Sequence, residues 1–400
     1  MKNCYLNDFI NGKTFIYGQR TVDKKVFAGK TCCVDNKGNR LFVLPNIDMS
    51  ADKVEKENVA IIENSDWKCA LVDMKGNFLT DFVYDNISAN SEEGFFCVEK
   101  DKKIGYIDSK GNEVIPAIYD GCHTFSEGLV AVCQGDDWGM VDFNNATIIP
   151  FEYKDLSTCY NNTICAMKNG KWGLINRNNE ILVNFRYDYL DNEFSKNSFC
   201  YLARIHNKWG LIDNYDNLVE DFVYDFITAI SCNNNDNVGE FFSFEKNDKC
   251  ALYSAKRRMF LTDFIYDNID FCSENRFRVT VDKKDGFIDT NGDVIAPTIY
   301  DNFYSMYNEG IAIVKQDGLY GALNLIGQNV IPCEYKSLNN FSEGLALAVN
   351  QNYEEGYIDK NNNVIVPFGK FKDCFDFHCG VARVRIDDSE ITYIDKKGEC

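Results

Sequence analysis

Eight tyrosines that recur along the chain are the residues best placed to bind a ligand. Aspartate follows six of them and lysine follows two, so each could present a hydroxyl beside a charged group. A stripe repeated once per structural unit could bind a ligand along an extended surface. The pattern also fits tyrosines held in a core, with each aspartate accepting backbone hydrogen bonds in the next turn. The candidate binding stripe is Tyr84, Tyr119, Tyr153, Tyr187, Tyr224, Tyr266, Tyr300 and Tyr335.

Three Trp-Gly pairs are a second set of candidates, because a ladder of indoles could bind sugars or peptides. We favour a packing role, in which tryptophan contacts the next repeat and glycine lets two backbones approach. The pairs are Trp138-Gly139, Trp172-Gly173 and Trp209-Gly210, and the same slot holds Gly105, Gly286, Gly321 and Gly356 in other repeats.

Catalytic and metal chemistry are not indicated. His123, His206 and His378 are isolated from one another in sequence, and the seventeen cysteines include no CxxC motif. The segment that begins at Asp289 resembles the start of a calcium loop, but Val294 stands where an EF-hand loop has glycine. An aspartate that caps a turn explains the pattern at Asp289 better than a calcium ligand does. We therefore expect a protein that is not an enzyme and has no cofactor or metal.

Composition excludes other classes. The formal net charge is −19 and the longest basic block is the three residues 256–258, so a nucleic-acid partner is not expected. The sequence has no apolar run long enough for a membrane span and no signal-peptide pattern at its beginning. Cysteines such as Cys97 and Cys133 occupy apolar slots, which suggests reduced, buried thiols and a cytoplasmic location.

A repeat of about 35 residues organises the chain. It is marked by a position that is Asp or Asn in ten of eleven cases, with most steps of 34–36 residues. We call this position the marker, and count ten full repeats and a truncated eleventh. The marker residues are Asp35, Asp73, Asp108, Asp142, Asn176, Asp213, Ser254, Asp289, Asn324, Asp359 and Asp395.

The sequence pattern within each repeat predicts about three short strands. A residue that tolerates positive φ, mostly Gly or Asn, stands three positions after the marker and predicts a hairpin turn. In five repeats a proline stands eight positions after the marker, where we expect it to end the second strand. The repeat tyrosine follows, then a loop and a third apolar run. No segment favours the helical period.

The Trp-Gly pairs, each followed by an apolar pair and Asp or Asn, resemble the Trp-Gly (WG, or KWG) repeat family of bacterial proteins. Tyr320-Gly321 and Gly105 resemble degenerate versions of that slot. The resemblance covers roughly residues 30–400 and implies a β-stranded repeat with no assigned catalytic residue. Cys69-Ala70 and Cys250-Ala251 depart from the motif, and residues 190–275 are irregular in repeat length.

The expected fold is all-β, with tandem hairpin or meander repeats stacked into an elongated, curved or superhelical array. A propeller-like closed ring is the alternative, although three-stranded units fit four-stranded blades poorly. We expect residues 1–29 to form an N-terminal cap segment and residues 30–400 to form the array.

The expected function is a non-enzymatic scaffold that binds another protein along an extended repeat surface. The alternative is a carbohydrate- or cell-surface-binding module that uses the repeated aromatics.

Overall fold

The computed structural model describes residues 59–64, 66–88, 93–192, 200–230, 240–270, 273–301, 307–378, 380–387 and 391–399 in full. It also gives the backbone of six earlier strands and of residues 271–272 and 302–303. Apart from its strand bounds, the predicted cap 1–29 lies outside the described residues. The described parts are all-β, and none of their segments is a helix long and apolar enough to cross a membrane.

The chain forms two compact units, Met1–Asn192 and Glu193–Cys400. The strands of the first are β1 (Cys4–Leu6), β2 (Lys13–Val22), β3 (Lys25–Ala28), β4 (Cys32–Asp35), β5 (Arg40–Val43), β6 (Ala51–Val54), β7 (Val59–Glu63), β8 (Cys69–Asp73), β9 (Asn86–Ile87), β10 (Phe95–Lys100), β11 (Lys103–Asp108), β12 (Glu113–Tyr119), β13 (Gly121–Cys122), β14 (Leu129–Gln134), β15 (Asp137–Asp142), β16 (Thr147–Tyr153), β17 (Asp155–Leu156), β18 (Thr163–Lys168), β19 (Lys171–Asn176), β20 (Ile181–Tyr187) and β21 (Tyr189–Asp191).

The strands of the second unit are β22 (Tyr201–Ile205), β23 (Lys208–Ile212), β24 (Leu218–Tyr224), β25 (Phe226–Ala229), β26 (Phe241–Lys246), β27 (Lys249–Ser254), β28 (Met259–Phe260), β29 (Asn268–Ser273), β30 (Arg276–Val281), β31 (Lys284–Asp289), β32 (Val294–Tyr300), β33 (Asn302–Phe303), β34 (Ile311–Gln316), β35 (Leu319–Asn324), β36 (Asn329–Tyr335), β37 (Ser337–Leu338), β38 (Leu345–Val349), β39 (Glu355–Asp359), β40 (Val364–Val366), β41 (Asp373–Cys374), β42 (Val381–Arg385) and β43 (Ile391–Asp395).

Most repeats form an open, four-stranded antiparallel sheet, for example β13-β14-β15-β16 and β33-β34-β35-β36. The prediction of three strands per repeat is therefore wrong. The missed strand comes directly after the repeat tyrosine and has only two residues in sheets such as that of β13, too few for an apolar pattern. Four-stranded sheets also remove the argument from strand number against propeller blades.

The predicted hairpin turns are confirmed, because the third residue after the marker has positive φ in most described repeats. In the repeat of Ser254 the positive φ falls one position later, at Arg258. The others are Gly76, Gly111, Asn145, Asn179, Asp216, Gly292, Gly327, Asn362 and Gly398.

The prediction that proline ends the second strand is wrong in four repeats. Pro116, Pro150, Pro297 and Pro332 each lie inside a strand that runs on to the repeat tyrosine. The register with the preceding strand shifts at this point, so the proline sits in a β-bulge on the edge strand, where it interrupts no ladder hydrogen bond. In the repeat of Pro367 the strand does end before the proline.

The core of each unit lies between successive sheets. In the first unit, Leu129 and Met140 of one sheet pack in a buried cluster with Leu156, Ile164 and Ile175 of the next. Burial of such aliphatic side chains contributes roughly 1.5–3 kcal/mol each, so a repeat is stabilised by its neighbour.

Candidate functional site

The glycines of the Trp-Gly slot lie against the bulged fourth strand. A Cβ on any of the seven would be 2.5–2.9 Å from the carbonyl oxygen of the residue ten positions later, as at Gly173 and Val183. Real Cβ atoms do not approach carbonyl oxygens so closely, so the bulge requires glycine here. The seven are Gly105, Gly139, Gly173, Gly210, Gly286, Gly321 and Gly356.

The two repeats with alanine in this slot, Ala70 and Ala251, fold differently beside it. The first has no continuous fourth strand, and in the second it is only the two-residue β28. A threonine side chain there takes the place of one backbone acceptor, because the hydroxyl oxygens of Thr80 and Thr262 each accept a backbone N–H at 2.9 Å. The departure at Ala251 is thus a local rearrangement of the repeat. Within the irregular stretch 190–275, residues 193–199 and 231–239 lie outside the described residues.

The three tryptophans of the motif are half-buried. Trp138 stacks on His123 with ring centroids 4.7 Å apart, and Trp209 contacts Phe226 and the guanidinium of Arg204. Trp172 is paired in register with Tyr187. Phe226 lies on β25, so Trp209 contacts the next sheet, as the packing interpretation expects, while Trp138 stacks within its own sheet.

All eight tyrosines of the candidate stripe are buried, with exposed fractions of 0–7%. Where the turn of the next repeat contains asparagine, the tyrosine hydroxyl donates to its amide oxygen: Tyr119 to Asn145 at 2.7 Å and Tyr153 to Asn179 at 2.6 Å. Tyr335 bonds Asn362 in the same way. The rings are thus enclosed and tie one repeat to the next, and they do not present an exposed stripe.

The aspartate that follows most of these tyrosines links neighbouring sheets as well. The Asp120 carboxylate pairs with the Lys103 ammonium at 2.5 Å and also accepts the backbone N–H of Gly135, in a turn of the following sheet. Lys103 occupies the lysine position of the KWG motif. In one repeat the charges are exchanged, since Asp137 stands at the lysine position and pairs with Lys154 at 2.8 Å.

A second set of links uses the glutamate of the Glu-Gly turns, which the sequence analysis treated only as turns. The Glu127 carboxylate accepts the backbone N–H groups of Asn161 and Asn162, at 2.7 and 3.0 Å, in the equivalent turn of the next repeat. Glu309 does the same with Glu343 and Gly344. The recurrence of Glu-Gly at the repeat spacing was a usable signal for this ladder.

The marker aspartates cap the hairpin turns, as the sequence suggested for Asp289. The Asp142 carboxylate accepts the backbone N–H groups of Asn144 and Ala146, both at 2.9 Å. The hydrogen bond from Ala146 is the largest of the effects that lower the pKa of Asp142. At Asn176 an amide oxygen makes the equivalent two bonds.

This arrangement predicts a loss of stability in acid. Because the pKa of Asp142 is lower in the folded protein, its contribution is complete above the unfolded value of about 3.9 and is lost as the pH falls through the folded value. We expect Asp142→Asn to retain wild-type stability at pH 7, because the amide oxygen of Asn176 makes the same two turn hydrogen bonds. The variant should lose less stability than the wild type between pH 5 and about pH 2. Urea unfolding midpoints measured across this range test it; equal acid losses in the variant and the wild type would contradict it.

An exposed set of aliphatic side chains lies on the edge strands of the second unit. Three successive repeats each expose two such residues, one at the start of the fourth strand or its remnant and one just before the repeat tyrosine. Their exposed fractions are 41–65%. We call this set the aliphatic row; it consists of Leu218, Val223, Met259, Ile265, Val294 and Ile299.

The aliphatic row ends where polar residues occupy the start of the fourth strand and the position before the repeat tyrosine. In the next repeat the equivalent residues are Asn329 and Glu334, both exposed. In the first unit these positions are mixed: β16 has Thr147 and Glu152, whereas other repeats expose the apolar residues Phe78, Val83, Ile118 and Ile181 there. Exposed Asp221, Asp263 and Asp293 lie within two residues of row residues in the sequence, and the exposed basic residues 256–258 directly precede Met259, so charges of both signs border the row.

No metal centre is formed by the described residues, in which no three His, Cys, Asp or Glu side chains come together. His123 lies 3.8 Å from the Asp155 carboxylate, while His206 and His378 are exposed at other repeats. The ten cysteines of the described part are thiols and not disulfides.

Several solved structures show a likeness to parts of the chain. Among solved structures, the chain resembles a eukaryotic initiation factor (TM-score 0.43, 10% identity, 88% of this chain and 94% of that one). It also resembles AztD from Citrobacter koseri in its apo form (0.33, 11%, 66% and 90%) and BamB from Moraxella catarrhalis (0.28, 13%, 61% and 77%). No curated protein matches the chain.

The sequence model of the family described as WG containing repeat matches seven segments, which together make up more than half of the chain. They are residues 71–103, 104–137, 138–172, 172–209, 286–320, 320–353 and 356–388. The chain belongs to the WG containing repeat family.

Proposed function

We propose that this protein is a non-enzymatic scaffold that binds another protein through the aliphatic row of its second unit. The observation that carries the proposal is the exposure of two aliphatic side chains in each of three successive repeats. Apolar residues exposed at the same two positions of successive repeats offer a partner a repeated contact, and interface centres are rich in apolar contacts.

The chemistry of the row favours a protein over a sugar. Aliphatic side chains offer no hydrogen bonds to hydroxyl groups, and the repeated tyrosines that a carbohydrate site would need are buried. The fitting partner has an apolar patch with a border that carries charges of both signs, because Asp221, Asp263 and Asp293 lie near the row and Arg258 directly precedes Met259. Thiols in the described part are compatible with the cytoplasmic location that we propose.

The test compares two charge-matched double variants in affinity capture from lysate of the source organism. Leu218→Lys with Val294→Lys places lysine in the row, at the first residue of β24 and β32. The control, Thr147→Lys with Asn329→Lys, makes the same charge change at the first residue of β16 and β36, outside the row.

We expect the row variant to bind the captured protein at least about tenfold more weakly than the wild type and the control variant to bind like the wild type. Circular dichroism of both variants verifies folding. Equal capture by the row variant would contradict the proposal, and capture of glycans without protein would favour a carbohydrate module.

A further inference from the structure

Two cysteine thiols from successive sheets of the first unit lie side by side. Cys97 is on β10 and Cys122 is on β13, and their Sγ atoms are 3.4 Å apart. Both thiols line a cavity of about 370 Å³, which is within the usual size range of small-molecule sites. The pair is therefore accessible to a small reagent and needs only a short movement to form a disulfide, whose sulfurs are about 2.05 Å apart.

The cavity is explained by the residue type at position 122. Cys122 stands three residues after the repeat tyrosine Tyr119, where other repeats have a larger, buried aliphatic side chain. A cysteine fills less of this space, which leaves an opening between the two sheets. The aliphatic equivalents are Ile87, Leu156, Leu190, Ile227, Ile269 and Leu338.

The surroundings of the pair distinguish its two sulfurs. The hydrogen bond from Cys97 lowers the pKa of Cys122 to about 7, against the opposing effect of burial. The pKa of Cys97 is raised, with the same hydrogen bond as the largest cause. The Tyr106 hydroxyl donates to the backbone carbonyl of His123 and so holds this wall of the cavity. Cys122 is thus the nucleophile and Cys97 its protonated neighbour.

The second unit contains a natural comparison. Cys374 also stands three residues after the repeat aromatic, and the Tyr357 hydroxyl donates to the carbonyl of Phe375 as Tyr106 does to His123. The position of Cys97 is occupied there by Leu347, which is paired with Tyr357 as Cys97 is paired with Tyr106. Burial raises the pKa of Cys374 to about 12, and the charge of Glu355 acts in the same direction.

We propose that Cys97 and Cys122 form a thiol–disulfide exchange site that takes a low-molecular-weight disulfide. The Cys122 thiolate attacks one sulfur of the small disulfide, forms a mixed disulfide and releases one small thiolate. Cys97 then loses its proton and attacks the Cys122 sulfur, which forms the Cys97–Cys122 bond and releases the second small thiolate. The two cysteines are oxidised by two electrons, and the small disulfide is reduced to two thiols.

The experiment treats the reduced, full-length protein with cystamine at pH 7 and identifies the products by peptide mass spectrometry without reduction. A parallel measurement follows the rate of alkylation of each cysteine by iodoacetamide. We expect the Cys97–Cys122 disulfide to form first, and Cys122 to be alkylated at least about tenfold faster than Cys374.

The variant Cys97→Ser supplies a second readout, because Cys122 should then accumulate as the mixed disulfide with cysteamine. Cys374→Ser is the matched control and should form the Cys97–Cys122 disulfide at the wild-type rate. Alkylation of Cys122 no faster than that of Cys374 in the wild type would overturn the proposal, as would disulfides distributed over other cysteine pairs. The wild-type measurements decide the matter even if a serine variant fails to fold.

Discussion

Gly173→Ala is expected to destabilise the first unit by about 2–3 kcal/mol, because the new methyl group would lie 2.6 Å from the carbonyl oxygen of Val183. Relief of this contact requires the bulged strand β20 to move away from β19. The strand carries Val183 and Tyr187, both buried, so the movement would also open the core. Urea unfolding followed by tryptophan fluorescence measures the loss.

Gly121→Ala is the matched control for this substitution. The nearest atom to a Cβ at Gly121 is on the Trp138 ring, 3.4 Å away, at the edge of ordinary van der Waals contact. Gly121→Ala should lower the free energy of unfolding by less than about 1 kcal/mol. Equal unfolding midpoints for the two variants would show that the motif glycine is not required by the bulge.

Tyr153→Ala is expected to have the largest effect of all, a loss of about 3–5 kcal/mol in unfolding free energy. The Tyr153 ring is 2% exposed, stacks on Phe185 and belongs to the cluster that joins two successive sheets. Its removal would leave a cavity between repeats and an unpaired amide oxygen on Asn179.

Two phenylalanine variants separate the ring from its hydroxyl. Tyr153→Phe keeps the ring and should cost about 1 kcal/mol for the lost hydrogen bond to Asn179. At Tyr266 the equivalent turn residue is Gly292, which has no side chain to accept that bond, so Tyr266→Phe should cost less. An unchanged unfolding midpoint of Tyr153→Ala together with a loss of ligand binding would contradict the packing role and would favour the tyrosines as a binding stripe.

Much of the repeat could be predicted from the sequence, because its turns depend on residues that are close together in the chain. The positive φ at Asn145 and Gly111 follows from residue types that tolerate it, and each marker aspartate caps its own turn. The family resemblance followed from motifs in fixed order. The two-residue strand β13 could not be predicted, since Gly121 and Cys122 have no periodicity of their own.

The bulge explains why the aliphatic row was missed. Alternation along a regular strand would have placed apolar residues on one face, but the register shift around the proline position changes which side chains point outward. Within β32, Ala296 is buried while Val294 and Ile299 are exposed, although all three are apolar. Residue type alone does not distinguish them.

The contact between the two cysteines could not be predicted from the sequence for a different reason. Cys97 and Cys122 lie in different sheets, and their contact exists only once one repeat has packed on the next. The sequence did predict thiols in apolar surroundings, and most of the described cysteines are buried. The pair Cys97–Cys122 depends on two substitutions within the repeat pattern, which a scan for local motifs does not detect.

Hydrogen exchange of the protein with and without its captured partner tests the proposed binding surface most directly. We expect slower amide exchange on binding in peptides that cover residues 218–224, 259–265 and 294–300. Exchange should stay unchanged in 147–153 and 329–335, where the same strand positions are polar. Protection confined to the polar strands or to the Glu-Gly turns, with none in the aliphatic row, would contradict the account.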